Sequence, residues 1–440
     1  MLTQEENDLL TRVGPGTSCG EMMRRYWQPV ALSAELPPGG APLPVRLLGE
    51  DLVLFRDEAG QPGLLAIHCS HRGADLSYGR IEDGGLRCLY HGWLYDRTGR
   101  CLEQPGEPEP RAGEQADADA DPSAPPLAAA PRRFHERIRH PAYPCQETGG
   151  LILTYMGPGE PPLVPAFEFL AAPDDFRFNT KIYQECNYLQ AAEGNLDPVH
   201  VPFLHQVFRR SGDGAPRGLR PVRLAIEAEE TDFGVRLMRV DRTSPETIHA
   251  RTTQFVLPNI CPIPAGSTDG YTVNWHVPID DGTHWKYVIQ FKRESPIDVD
   301  GLRRERSELG EGYRLVRNRS NRYLQDRAEM QSETFSGLGS GFQAQDALAT
   351  ESQGPIQDRT NEHLSGGDRA IMLIRQSLKG AIEDVREGRD PPLVIRDPAR
   401  NRLARTGVSA HFIPSSEDWR AHLRQRIQEL EGEIVAPAHI

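Results

Sequence analysis

Apolar and polar positions follow two different periods along this chain. Between 44 and 67, the short apolar runs Val45-Arg46-Leu47-Leu48, Asp51-Leu52-Val53-Leu54-Phe55 and Gly63-Leu64-Leu65-Ala66-Ile67 are separated by turn residues, which predicts a meander of short strands. Tyr271-Thr272-Val273-Asn274-Trp275-His276-Val277 and Trp285-Lys286-Tyr287-Val288-Ile289-Gln290-Phe291 read as longer strands. Helical spacing dominates later: 368–387 carries apolar residues three and four apart, and 419–434 reads as an amphipathic helix preceded by Ser415-Ser416. The charged, proline-free stretch 302–331 also reads as helical. At the start, Thr3 and Glu6 have capping-box spacing, Leu9 and Leu10 supply an apolar patch, and Gly14-Pro15-Gly16 ends the helix.

The sum is a small all-β module joined to a larger α+β domain, without an internal repeat. At 440 residues the chain exceeds the ~250 to 300 at which one core stops growing. The expected division is a β module over 28–150 and a second domain over 151–440, with 1–27 packing on the latter. Pro, Ala, Gly, Asp and Glu dominate 105–131, which therefore lacks the apolar surface to order itself and is expected to be an exposed insertion. No apolar run approaches the ~20 residues of a membrane span, and Met1 to Glu6 has no signal-peptide character, so the cytoplasm is the expected compartment. A net charge of -13 argues against a nucleic-acid surface. Seven cysteines, an odd number in a long chain, argue against a disulfide framework and favour metal ligation where Cys and His stand close together.

Two segments have that character: Cys69-Ser70-His71-Arg72-Gly73 and Cys88-Leu89-Tyr90-His91-Gly92-Trp93. Each supplies one thiolate and one imidazole, a mixed set suited to an asymmetric 2Fe-2S cluster in which Cys69 and Cys88 hold one iron and His71 and His91 the other. Neutral imidazoles in place of thiolates favour the reduced cluster and raise its potential to roughly -150 to +300 mV. Tetrahedral zinc is the competing reading, although zinc fingers usually pair Cys with Cys and His with His. With Gly73 and Gly92-Trp93 behind the histidines, the two segments resemble the Rieske pattern. Arg72-Gly73-Ala74 and Leu89-Tyr90 stand where respiratory Rieske proteins carry an extra disulfide, so the resemblance is to the oxygenase and ferredoxin branch. His68 reads as a loop residue.

About a hundred residues later comes Glu193-Gly194-Asn195-Leu196-Asp197-Pro198-Val199-His200-Val201-Pro202-Phe203-Leu204-His205. Two histidines five apart on an irregularly ended helix can face one point, and with a distant carboxylate they make the facial triad of non-heme iron(II) oxygenases. Histidines that cap a helix or line a core are the ordinary alternative. Taken with the cluster motif, the arrangement resembles Rieske non-heme iron aromatic ring-hydroxylating oxygenase α subunits over nearly the whole chain. Arg24-Arg25-Tyr26-Trp27-Gln28-Pro29-Val30, Leu48-Gly49-Glu50-Asp51-Leu52-Val53 and Gly354-Pro355-Ile356-Gln357-Asp358-Arg359 look like the phthalate dioxygenase-like group.

That resemblance implies an α+β architecture, with a small all-β Rieske domain joined to a catalytic domain built on a helix-covered antiparallel sheet. It implies Asp346, followed by Glu351 and Gln353, as the third ligand to a mononuclear Fe(II). Asp358 is the runner-up, and an ion pair with Arg359 is its more ordinary role. Further implications are dioxygen as co-substrate and a head-to-tail homotrimer, or a hexamer of two, without a β subunit. In such a ring Asp197 would link His91 of one subunit to His200 of the next; capping the His200 segment is its ordinary role. No Gly-x-Gly-x-x-Gly is present, so a flavin-containing reductase, with or without a ferredoxin domain, is expected to bring electrons from NADH or NADPH. The expected substrate is an aromatic acid, cis-dihydroxylated, or a methoxylated aromatic that is O-demethylated; its carboxylate would want an arginine, for which Arg209, Arg210 and Arg251 are candidates. A pure electron carrier would leave Asp197, His200 and His205 without purpose.

Overall fold

The computed structural model describes residues 1–106, 133–208, 224–242, 244–264, 269–305, 308–402 and 405–432. It forms two compact units, Gln28–Met156 and Met1–Trp27 with Gly157–Ile440.

The described residues of Gln28–Met156 form three small antiparallel sheets. The alternating runs form Leu43–Leu47, Glu50–Arg56 and Pro62–Ala66, with Leu54 opposite both Leu43 and Leu64. A second sheet holds Arg80–Glu82, Gly85–Arg87, Leu94–Tyr95 and Cys101–Glu103. Val53, Phe55, Leu65, Leu76, Leu86 and Tyr95 share one core. In the third sheet, Leu151–Thr154 lies between Gln28–Leu32 and Cys145–Thr148. Pairing on both sides ties this strand to the smaller unit, so the unit ends after Met156 and not at the expected 150. Most of the expected insertion, 107–131, lies outside the described residues.

The larger unit centres on an antiparallel sheet in the order Arg177–Gln184, His284–Phe291, Tyr271–Pro278, Ile260–Ile263, Thr247–Val256, Gly234–Arg242, Leu224–Thr231, with Ser409–Pro414 also paired to Thr247–Val256. The helix Arg369–Arg386 buries Ile371, Ile374, Leu378 and Ile382, the stripe its spacing predicts, over the strands Leu224–Thr231 and Gly234–Arg242. Trp419–Gly432 buries Leu423 and Ile427 among Met238, Val240, Ile248 and Ile413. Its first turn is capped by Asp418, which accepts from Arg420 N–H, and not by Ser415 or Ser416. Residues 433–434 of the expected helix lie outside the described residues. No helix among the described residues is long and apolar enough to cross a membrane, and none of the seven cysteines is in a disulfide.

One long helix expected from the sequence is not there. In place of 302–331 stand Val299–Glu305, the single turns Glu311–Tyr313 and Arg319–Leu324, and Glu329–Ser332. The stretch lacks a repeating apolar stripe, and Gly312, Tyr313, Arg322, Tyr323 and Leu324 adopt positive φ, which an α-helix cannot contain.

The capping box of Thr3 and Glu6 starts the helix Gln4–Thr11, as its spacing predicts. Below it, Arg359 donates to Glu193 at 2.8 Å and to Asn7 at 3.2 Å, and Arg375 donates to Glu193 at 2.6 Å and to Glu362. Arg359 is fully buried. Burial alone would raise the Glu193 pKa; Arg359 and Arg375 more than offset it and hold the carboxyl below its ordinary range. Arg359→Met is therefore expected to lower stability by about 3 to 5 kcal/mol in urea unfolding, because it strips a buried carboxylate of one partner. A cost under about 1 kcal/mol would show that Arg375 alone suffices.

Candidate active site

Both cysteine–histidine segments fold into loops of the same design. Cys69 N–H donates to Ala74 O and Gly73 N–H to Cys69 O; Cys88 N–H donates to Trp93 O and Gly92 N–H to Cys88 O. Gly73 and Gly92 both have φ near +75°, where a side chain is strained, which explains a glycine after each histidine pair. The loops leave the Cys69 and Cys88 side chains buried and bring the His71 and His91 rings to 4.4 Å between centroids. Trp93 stacks on His71 at 4.5 Å, and the Tyr95 hydroxyl lies 3.2 Å from Cys69 Sγ. Desolvation, then His71 and Arg72, lower the His91 pKa and favour the neutral ring that an iron ligand must be. Two buried thiols on one side and two neighbouring imidazoles on the other fit a 2Fe-2S cluster better than a zinc ion, which has no use for such segregation. His68 sits in the loop, its Nδ1 3.1 Å from Gly73 O.

In the larger unit, the helix Tyr188–Asn195 stops because Pro198 disfavours helical geometry at Asp197. One turn, Val201–Leu204, follows, with His200 at its start and His205 at its end. Asp346 comes from the helix Phe342–Glu351. One ligand-type atom from each of His200, His205 and Asp346 lies within 4.8 Å of the other two. Asp346 Oδ1 is 3.0 Å from His205 Nε2 and 3.8 Å from His200 Nε2. His205 Nδ1 is 2.5 Å from Gln345 Oε1, which as an acceptor leaves the hydrogen on Nδ1 and the lone pair on Nε2. Burial pushes the Asp346 carboxyl up, but His205, Lys286 and His200 hold it below its ordinary range. Two imidazole nitrogens and an ionised carboxylate converging this way fit a non-heme iron(II).

Asp197 Oδ1 accepts from Val199 N–H at 2.7 Å, capping the His200 turn, while Oδ2 lies 3.7 Å from His200 Nδ1. Asp358 is elsewhere: it accepts from Thr360 and Asn361 at an exposed turn. Its expected ion pair with Arg359 is not formed, because the buried Glu193 takes that guanidinium instead.

A cavity of about 380 Å³ opens beside the triad, lined by His200, His205, Asp346 and Phe342 and floored by one face of the sheet. Arg251 lines it, together with an arginine the sequence reading passed over, Arg239, directly opposite on the neighbouring strand. The Nε of each is buried without a hydrogen-bond partner among the described residues, and Asp241 approaches Arg239 only to 3.7 Å. Burial, then Arg239, brings the Arg251 pKa down to about 10. Two facing guanidiniums, each with a buried Nε, are costly without an anion between them. Arg209 and Arg210 lie outside the described residues. Gln345 and Arg239 carry no motif; only strand register and helix phase bring them to the site.

The Rieske [2Fe-2S] domain family matches residues 26–118, and the family described as LigXa C-terminal domain like matches 154–437. The 5,5'-dehydrodivanillate O-demethylase oxygenase subunit of Sphingobium sp. (strain NBRC 103272 / SYK-6) is 35% identical, over 91% of this chain and 85% of its own. The phthalate 4,5-dioxygenase oxygenase subunit of Pseudomonas putida is 34% identical over 88% of each. Among solved structures, the reduced complex between oxygenase and ferredoxin in carbazole 1,9a-dioxygenase shares the fold, with a TM-score of 0.53 at 21% identity over 87% of this chain and 93% of that one. The chain belongs to the Rieske non-heme iron ring-hydroxylating oxygenases, as an oxygenase α subunit of the phthalate dioxygenase-like group.

Proposed function

We propose that this oxygenase hydroxylates an aromatic acid, with Cys69, His71, Cys88 and His91 holding the 2Fe-2S cluster and His200, His205 and Asp346 holding the mononuclear Fe(II). When bound, the two groups supply one-electron transfer and dioxygen activation. The chain's own residues do the rest. Gln345 fixes the His205 ring with its lone pair toward the metal, and Asp346 brings a negative charge. Arg239 and Arg251 receive the substrate carboxylate, and the apolar side chains of Leu237, Ile263 and Phe342 flank the ring. The arginine pair is the observation that carries the substrate class.

Electrons come, in this reading, from a separate flavin reductase oxidising NADH or NADPH, through a ferredoxin or a ferredoxin domain. The ferredoxin bound in the carbazole 1,9a-dioxygenase complex supports such a donor. Three chains, or six, join head to tail without a β subunit, so that Asp197 bridges His91 of one subunit and His200 of the next.

Cis-dihydroxylation is the primary reading, and the demethylase relative favours O-demethylation as the second. The test is a single turnover of chemically reduced, iron-replete protein with benzoates, phthalates and methoxybenzoates under labelled dioxygen. A cis-diol with two labelled atoms establishes a dioxygenase; formaldehyde with a phenol establishes a demethylase. No product from any acid, with both metals present, sinks the aromatic-acid assignment.

Arg251→Met is expected to raise KM for the acid substrate about tenfold, the worth of one charge-assisted hydrogen bond, with little change in kcat. An equal effect on an uncharged analogue would show a packing role instead.

A further inference from the structure

His276 and His284, which the proposed reaction does not use, are fully buried. They form a chain whose hydrogens can be assigned in order. His284 Nδ1 lies 2.7 Å from the main-chain oxygen of Cys186, which only accepts, so that nitrogen carries a hydrogen. A second proton on either ring would place an unpaired charge in the core, and burial accordingly lowers both pKa values, that of His284 to about 4. His284 Nε2 is therefore a lone pair, and His276 Nδ1–H donates to it across 3.1 Å. That leaves a lone pair on His276 Nε2.

The atom facing this lone pair, at 3.2 Å, belongs to the Asn195 side-chain amide. A carbonyl oxygen there would set two acceptors against each other, whereas the amide nitrogen supplies the missing hydrogen. Oxygen and nitrogen of an amide have nearly the same shape, so the hydrogen-bond network decides their order. The same nitrogen then donates to the Asn274 amide, 2.8 Å away, which turns its oxygen to meet it. Asn274 keeps one buried amide atom without a partner whichever way it is turned, so the histidine chain makes the choice.

The other amide atom of Asn195 has no partner among the described residues. Asn195 lines the 380 Å³ cavity beside His200 and Asp346. We infer that Asn195 holds its carbonyl oxygen toward that cavity as a fixed acceptor, and that the substrate ring carries a hydroxyl that donates to it. This rests on the aromatic-acid reading above and narrows it to a hydroxylated aromatic acid. His276 and His284 are positioning residues: they prevent the amide from turning over to offer a donor.

The test is equilibrium binding to oxidised holoprotein, without reductant and hence without turnover. The probes are 3- and 4-hydroxybenzoate against their methyl ethers, and phenol against anisole. The wild-type protein is expected to bind the hydroxylated member of a pair about threefold to tenfold more tightly, the worth of one neutral hydrogen bond. Asn195→Leu is expected to bring the ratio to about one without weakening the ether. Asn195→Asp, close in shape, keeps one oxygen toward the cavity while the other, protonated, donates to His276 Nε2 in place of the amide nitrogen, and it retains the preference for phenol over anisole. A ratio of one in the wild-type protein, or a loss in Asn195→Leu shared equally by both members of a pair, overturns the inference. Acids that bind equally with and without the hydroxyl sink this inference alone; a phenol preference without any binding of acids sinks the aromatic-acid reading alone. Should no probe bind, both fall.

Discussion

Asp346→Ala protein is expected to fold and keep its 2Fe-2S cluster, to lose the mononuclear iron, and to turn over on the order of a thousandfold more slowly or worse, at least about 4 kcal/mol in the barrier. The carboxylate is the only negatively charged member of the triad, and its Oδ1 lies 3.0 Å from His205 Nε2 and 3.8 Å from His200 Nε2. Its removal leaves two neutral imidazoles, too few donors to hold iron(II) against buffer. Elemental analysis should show the two cluster irons retained and the third gone, with the cluster's visible and EPR spectra unchanged. Asp358→Ala is the control: that carboxylate only caps an exposed turn, so iron content and rate should stay at the wild-type level. If Asp346→Ala keeps its third iron and its rate, the carboxylate ligand lies elsewhere.

What could be read in the sequence was what lies close along the chain. The proposed cluster donors sit two and three residues apart within five- and six-residue loops, and the glycine behind each histidine is a backbone requirement that shows in the letters alone. The meander, the capped first helix and the stripe of 368–387 are likewise local, because the side-chain period decides them. Asp346 stands 141 residues beyond His205 in the numbering, so only family likeness could select it over Asp358. The misread stretch, 302–331, shows the limit of local reading. Absence of proline permits a helix but does not require one, and without an apolar stripe nothing pays for it. Arg239 illustrates a different limit: an arginine in a strand is ordinary, and only the register that sets it against Arg251 makes the pair the anion site proposed above. Arg359 is a third case, since its partner Glu193 lies on another element and outcompetes the adjacent Asp358.

The cap and the proposed bridge between subunits meet in the single side chain of Asp197, and substitution separates them. Oδ1 caps the His200 turn, and Oδ2 faces His200 Nδ1, a buried nitrogen with no hydrogen-bond partner among the described residues. Different oxygens serve the two directions, so neither role precludes the other. Asp197→Asn retains an oxygen for the cap but removes the charge, and it is expected to keep wild-type stability and both metal centres. Its turnover is nevertheless expected to fall on the order of a hundredfold, at the upper end for residues that orient metal ligands. Asp197→Ala should show the same loss of rate and, having lost the cap as well, unfold about 1 kcal/mol more easily. Stopped-flow oxidation of the reduced cluster, after mixing with dioxygen and substrate, locates the defect: slow cluster oxidation with normal substrate affinity means that Asp197 serves communication between the centres. Wild-type kinetics in Asp197→Asn would reduce Asp197 to a helix cap, and the head-to-tail bridge would then have to run through another residue near His200.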